Sequence, residues 1–190
     1  MKITQTKIPE VYLLEPNVFG DDRGYFSEVF RQDIFSKEIN DRVIFCQDNE
    51  SKSTRGILRG LHYQLPPYAQ SKLVRVVQGE VLDVAVDIRA GSKTYGQHVS
   101  VILNDKNKKQ LFIPRGFAHG FAVLSDEAIF CYKVDNYYSS ENDRGIVYND
   151  PDLNIDWMLE ESSIVLSDKD KNLMSFNDAD KFDSGQNLYE

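Results

Sequence analysis

The sequence predicts an all-β protein built as a sandwich, jelly roll or small barrel. Three observations predict it. Apolar and polar residues alternate with a period of two over short runs. Clusters of turn-forming residues separate those runs, at Gln78-Gly79-Glu80, Asn104-Asp105-Lys106-Asn107-Lys108 and Ser125-Asp126-Glu127. Only one stretch, 33–40, reads as a short helix.

Taken in order, the candidate strands are 43–49, 72–78, 80–88, 97–103, 110–113, 120–124 and 128–135. In the first, Phe45, Gln47 and Asn49 share a face, and Ile44, Cys46 and Asp48 share the other. A polar pair facing inward beside an aromatic suits a polar ligand better than a core. The strands 72–78 and 80–88 flank the turn at Gln78–Glu80. Within the second, Leu82, Val84, Val86 and Ile88 form one face, with Asp83 and Asp87 on the other. The strands 97–103 and 110–113 flank the next turn, whose Lys106, Lys108 and Lys109 read as exposed; His98 is an ordinary strand or surface histidine. The strands 120–124 and 128–135 flank the last turn, and Phe130, Tyr132 and Val134 alternate on one face, which points Tyr132 inward among apolar neighbours. From Asp168 onward the chain is polar and aperiodic. It reads as one domain over 1–190 with a tail, from about 171, that wraps the surface or frays.

Charge narrows the function. Thirty acids against 22 bases give a net charge of −8, with no basic stripe for nucleic acid. An acidic protein repels an anionic ligand at long range, so a phosphate-bearing ligand needs Arg and Lys clustered inside a pocket. No apolar run is long enough to cross a membrane as a helix, and the first residues lack the apolar core of a signal peptide. A cytoplasmic address follows as an expectation. Cys46 and Cys131 lie in apolar segments without a spacing pattern and read as buried, reduced thiols.

Two segments carry the chemistry. The first is Arg55-Gly56-Ile57-Leu58-Arg59-Gly60-Leu61-His62-Tyr63-Gln64, followed by 70–80; the second is Pro114-Arg115-Gly116-Phe117-Ala118-His119-Gly120-Phe121. Together they resemble the two signature motifs of the cupin superfamily, which implies a double-stranded β-helix, that is, a cupin-like jelly roll with a few short helices. In metal cupins the first motif supplies His-x-His and a Glu, and the second one more His. Here His62 and His119 remain, but Gln64 holds the second position and Lys72 lies near the expected Glu. A protonated Lys repels a divalent cation and offers it no lone pair. Two imidazoles and an amide are a poor set for zinc or iron. The expectation is no metal and no other cofactor.

An ammonium can do what the ion would have done, which is to stabilise an oxyanion. Lys72 beside a histidine suits proton abstraction α to a carbonyl. General acid–base help alone supplies about 10² to 10⁴ in rate, so the enolate needs stabilising as well.

The sequence as a whole closely resembles the dTDP-4-dehydrorhamnose 3,5-epimerase family. The likeness runs from Pro16-Asn17-Val18-Phe19-Gly20-Asp21-Asp22-Arg23-Gly24-Tyr25-Phe26 to Leu166-Ser167-Asp168-Lys169-Asp170, through Gln47-Asp48-Asn49, 59–64, 114–121 and Tyr132–Tyr138. It implies that His62 is the base removing protons at C3 and C5 of a 4-keto sugar, oriented by Asp170. It implies that Tyr132 is the acid on the opposite face and that Lys72 lies by the C4 oxygen. Arg23, Arg59 and His119 match substrate contacts around the diphosphate, and Glu28, Gln47 and Asn49 match contacts on the nucleotide side. Tyr138 matches a ring stacked on thymine, while Asp143 and Lys169 match further substrate contacts. Position 143 departs from the pattern, since Glu is the more usual acid there. The substrate implied is dTDP-4-dehydro-6-deoxy-D-glucose, and the assembly implied is a homodimer.

The physics agrees with such roles. Inversion at carbon requires a proton from the face opposite to the one that lost it, hence two groups. An unperturbed tyrosine, pKa about 10, donates at neutral pH, and an unperturbed histidine, pKa about 6.5, is largely free to accept. Taken alone, His62 reads as a structural histidine and Tyr132 as core, while for His119 a structural role, orienting a loop, is the lesser reading. Three rivals stay open: an epimerase of one carbon or a ketoisomerase on another nucleotide sugar, a metal-dependent cupin, and a non-catalytic binding cupin.

Overall fold

A computed structural model describes residues 1–190. In chain order it contains β1 (Lys2–Gln5), β2 (Tyr12–Glu15), β3 (Val18–Asp21), β4 (Gly24–Ser27), α1 (Gln32–Glu38), β5 (Gln47–Thr54), β6 (Leu58–Gln64), β7 (Lys72–Gln78), β8 (Glu80–Asp87) and β9 (Arg89–Ala90). There follow β10 (His98–Asn104), β11 (Gln110–Ile113), β12 (Phe117–Val123), β13 (Glu127–Val134), β14 (Asp143–Gly145), α2 (Asp168–Lys171) and β15 (Phe182–Asp183).

Two sheets face each other. The larger runs β1-β2-β11-β7-β13-β5 and the smaller β10-β8-β12-β6-β14. Every neighbouring pair in them is antiparallel. Successive strands such as β7 and β8 therefore sit in opposite sheets, as a jelly roll demands. The all-β expectation holds.

Three apolar clusters show where the layers meet. Between the sheets lie Val74, Val76, Val81, Ala85, Phe121 and Phe130, among others. On the outer face of the smaller sheet, Leu82, Val84, Val86 and Ile88 pack against Trp157, Phe176 and Phe182 from the C-terminal segment. On the outer face of the larger sheet, Leu14, Leu73 and Phe112 are covered by Phe35 of α1. The stripe read from 80–88 thus faces outward from the barrel, beneath the C-terminal segment. Asp83 and Asp87 face the other way and are fully buried.

Several expectations need correcting. The strand placed at 43–49 occupies Gln47–Thr54, because the strand alternates exposed with half-buried polar residues and gives no apolar signal there. The strands at 2–5, 12–15, 18–21, 24–27 and 58–64 are not among those expected, the last because Gly60 breaks the alternation. Cys46 is exposed and Cys131 half-buried, both free, so the buried-thiol reading fails. Cys46 precedes the strand rather than filling it. Of the three lysines, only Lys106 is exposed; Lys108 donates to the Tyr25 hydroxyl at 2.8 Å. The tail does not fray. Phe176, Ala179 and Phe182 are buried anchors, and β15 pairs with β9. Their spacing is irregular because an extended covering segment needs single anchors and no period.

Candidate active site

A cavity of about 700 Å³ opens between the sheets, lined in part by Arg59, His62, Lys72, His119, Tyr132 and Asp170. The strands explain how these meet. Across β12 and β6, His119 stands opposite His62 and Phe121 opposite Arg59, so β6 carries one more residue than β12 in that interval. This bulge turns Arg59 and His62 to the same face, which strict alternation forbids for residues three apart. Gly60 makes it possible. Its φ is +122°, and a Cβ there would lie 2.5 Å from the Cα of Gly120.

His62 Nε2 lies 2.5 Å from Asp170 Oδ1. Asp170 is placed by a local device. Ser167 caps α2, accepting the Asp170 N–H at 3.1 Å, and its hydroxyl donates back to Asp170 Oδ2 at 2.8 Å. Burial pushes the Asp170 carboxyl up, but the hydrogen bond and charge of His62, with Ser167, hold it below the usual range. The carboxylate is therefore ionised at neutral pH and accepts from Nε2, which makes Nδ1 the nitrogen that can take a proton from substrate.

Lys72 opens β7. It is half-buried by area, yet the protein packed around its ammonium desolvates it and brings its pKa down to about 8. Asp143 and Asp83 pull the other way, and Lys169 adds to the fall. Tyr132 stands opposite Asn49 on β5 and Val74 on β7. Burial raises its pKa, Asp143 raises it further and Arg59 opposes, so the phenol keeps its proton through neutral pH. Its ring lies 6.1 Å from Phe130, which stacks on Phe121 at 4.1 Å.

His119 is buried, with Nε2 2.9 Å from Asp83 Oδ2. Desolvation lowers its pKa despite Asp83, so it is neutral at pH 7. Asp83 Oδ1 has no hydrogen-bond partner. Arg59 is exposed at the cavity, steadied by Ser53 Oγ at 3.1 and 3.2 Å. Lys169 lines the cavity and ion-pairs with Asp143, which also accepts from the Tyr138 hydroxyl at 3.0 Å.

Of the thirteen residues singled out from the sequence, the cavity brings together His62, Lys72, Tyr132, Asp170, Arg59, His119, Asn49 and Lys169. Gln47 lies one step off, donating to Asn49 Oδ1 at 2.7 Å. Tyr138 and Asp143 join through Lys169 and do not line the cavity. Arg23 and Glu28 are not brought in by their own chain. Arg23 sits at the β3–β4 turn, 90% exposed and paired with Asp21, and Glu28 approaches only Arg31. The sequence reading passed over Asp83 and Ser167. Ser167 was legible as a capping serine, and Asp83 as an acid set among apolar residues in mid-strand.

The comparisons bear on this geometry. A protein-family profile described as dTDP-4-dehydrorhamnose 3,5-epimerase matches residues 5–178. The dTDP-4-dehydrorhamnose 3,5-epimerase of Shigella flexneri is 57% identical over 182 residues, which is 96% of this chain and 99% of that protein. A crystal structure of dTDP-6-deoxy-D-glucose-3,5-epimerase from Legionella pneumophila, in complex with dTDP-4-keto-L-rhamnose, superposes with a TM-score of 0.93 at 47% identity, covering 97% of this chain and 99% of that one. The dTDP-4-dehydrorhamnose 3,5-epimerase of Bacillus anthracis, with TDP and PPi bound, gives 0.87 at 43% identity over 92% and 98% of the two chains.

Proposed function

Because this chain belongs to the dTDP-4-dehydrorhamnose 3,5-epimerase family, we propose that its cavity inverts C3 and C5 of dTDP-4-dehydro-6-deoxy-D-glucose with His62 as base, Lys72 as the cation for the enolate and Tyr132 as acid. One observation carries these roles: the three side chains line one cavity, with the base already seated on an ionised carboxylate.

C3 and C5 both flank the C4 ketone, so one cation at O4 serves both deprotonations. His62 takes the proton from carbon, and Asp170 stabilises the imidazolium that forms. Lys72 holds the enolate oxygen. Tyr132 returns a proton from the other face; His62 then gives its proton to solvent and Tyr132 takes one back, which resets both groups for the second carbon. Arg59 and Lys169 supply the local positive charge that a diphosphate needs in a protein of net charge −8. His119 is a different matter: a buried neutral ring is a poor diphosphate partner, so we assign it to the sugar.

The donors present support a metal-free reaction. Lys72 lies near the position where a metal cupin carries its Glu, and an ammonium offers an ion no lone pair. The Gln64 amide donates to the carbonyls of Tyr68 and Tyr137 and accepts from the Ser139 N–H, which holds it away from the cavity.

We also propose that the working unit is a homodimer. The β3–β4 hairpin exposes Val18, Phe19, Tyr25 and Phe26 together, more apolar surface than a lone hairpin keeps in water. A second copy would cover that surface and receive Arg23 and Glu28 at its cavity.

The test is incubation with dTDP-4-dehydro-6-deoxy-D-glucose in deuterated water. Deuterium enters at C3 and C5 with the wild type. His62→Ala abolishes exchange at both carbons. Tyr132→Phe still exchanges but inverts poorly. Exchange that persists without His62, or full epimerase activity without the Tyr132 hydroxyl, removes the respective assignment.

A further inference from the structure

The polar tail carries a half-buried tyrosine, Tyr189. The Tyr189 hydroxyl lies 2.9 Å from Ser71 Oγ and accepts the Arg115 backbone N–H at 3.2 Å. Its ring is held by two guanidinium groups, with Arg115 Cζ at 5.0 Å and Arg42 Cζ at 5.2 Å from the centroid. Arg115 Nη1 donates to the Leu188 carbonyl at 2.7 Å, and its Nε donates to Asp135 Oδ2 at 3.1 Å. Asp135 Oδ1 accepts the Ser71 N–H at 2.6 Å, which closes the ring of contacts. Ser71 and the Asp135 side chain are almost wholly buried.

Each member of this ring adjoins a strand of the site. Ser71 immediately precedes Lys72. Asp135 follows Val134, which pairs with Lys72 across β13 and β7, on the strand that carries Tyr132. Arg115 leads into β12, which carries His119. The Lys72 ammonium is not anchored by contacts of its own. It makes a single hydrogen bond, to the His62 carbonyl, long at 3.4 Å. The place of Nζ is therefore set by the backbone at 71–72, the end of a strand, where backbone loosens unless it is tied. The family match ends at residue 178, so this tie lies outside it.

We propose that Tyr189 is a positioning residue: a C-terminal latch that locks Ser71, Asp135 and Arg115 together and so fixes Lys72 against His62 and Tyr132. This rests on Lys72 holding the enolate oxygen. A displacement of about 1 Å at a reacting group can cost on the order of a hundredfold in rate.

The experiment compares Tyr189→Phe, Tyr189→Ala and Lys72→Met with the wild type, by steady-state kinetics and thermal unfolding. Tyr189→Phe keeps the ring between the arginines and loses the hydroxyl. The latch predicts a several-fold fall in kcat for Tyr189→Phe and roughly a ten- to hundredfold fall for Tyr189→Ala. KM stays within about twofold, because Arg59 and Lys169 still hold the diphosphate. A merely structural strap would lower Tm and leave kcat untouched below the transition. Normal kcat in folded Tyr189→Phe and Tyr189→Ala overturns the latch, as does a loss confined to KM. Where Tyr189→Ala does not fold at the assay temperature, Tyr189→Phe decides. The premise is checked separately: undiminished turnover by Lys72→Met would remove the role of Lys72, whatever the tyrosine variants do.

Discussion

His62 and His119 face each other across β6 and β12, each with a carboxylate on Nε2. The likeness ends there. His62 is a third exposed and paired with a carboxylate held ionised, which gives an imidazolium formed there a counter-charge. His119 is sealed in and disfavours charge. Lys72 gives the sharpest residue-level prediction, because burial moves its pKa from 10.5 to about 8. If its ammonium holds the enolate, kcat/KM falls as pH rises through about 8, where the cation is lost. Lys72→Arg keeps a charge at that pH and should move the limb upward. A wild-type profile flat through pH 8 would contradict this. The same burial costs stability. The folded state binds fewer protons than the unfolded chain between about pH 8 and 10.5, so wild-type stability rises across that window. Lys72→Met, similar in volume and uncharged, should be more stable than wild type at pH 7 by about 1–3 kcal/mol. That advantage should shrink as pH approaches 10.5; denaturant titrations at the two pH values measure it.

At the scale of elements, the bulge in β6 decides the site. It needs two glycines face to face, Gly60 and Gly120, since a Cβ on either would meet backbone at 2.5 to 2.7 Å. Gly60→Ala combines that clash with a strained positive φ and should cost about 2–4 kcal/mol. Because relief of the clash must move β6 against β12, kcat should fall more than KM rises. Chemical denaturation with steady-state kinetics checks both, and an alanine variant with wild-type kcat would detach the bulge from catalysis. The short helix α2 plays the matching part on the other side of His62. Four residues would not hold a helix alone, yet Ser167 at its cap and Asp170 against His62 fix it at both ends.

At the scale of the whole molecule, one element stands apart from the rest. The hairpin β3–β4 reaches into solvent with Phe19 and Phe26 more than 60% exposed, and Arg23 at its turn cannot serve its own cavity as the chain is folded. If the hairpin serves a second copy, two disabled proteins should rescue each other. Arg23→Ala and His62→Ala, each weak alone, should regain activity when co-expressed, because a mixed dimer holds one site with His62 from one copy and Arg23 from the other. Absence of rescue in a confirmed mixed dimer would put Arg23 outside the partner's site. Light scattering on the wild type reads the mass directly.

The residues by themselves determined much of this protein. Alternation and turns predicted the β architecture, because period-two patterning is local and each strand writes it into its own sequence. The Gln and Lys at cupin ligand positions pointed away from a metal, and the order of His62, Lys72, Tyr132 and Asp170 matched an epimerase. What only the tertiary structure decided was non-local. The Arg59–His62 alignment needed the bulge, the ionised state of Asp170 needed Ser167 and His62 beside it, and the depressed pKa of Lys72 needed the desolvating wall around it. The tail looked aperiodic, yet it supplies Phe176 and Phe182 to one layer and Tyr189 to the site strands. Single anchors leave no period to read. Their meaning lies in what they touch, and contact partners some seventy to a hundred and twenty residues apart are set by packing alone.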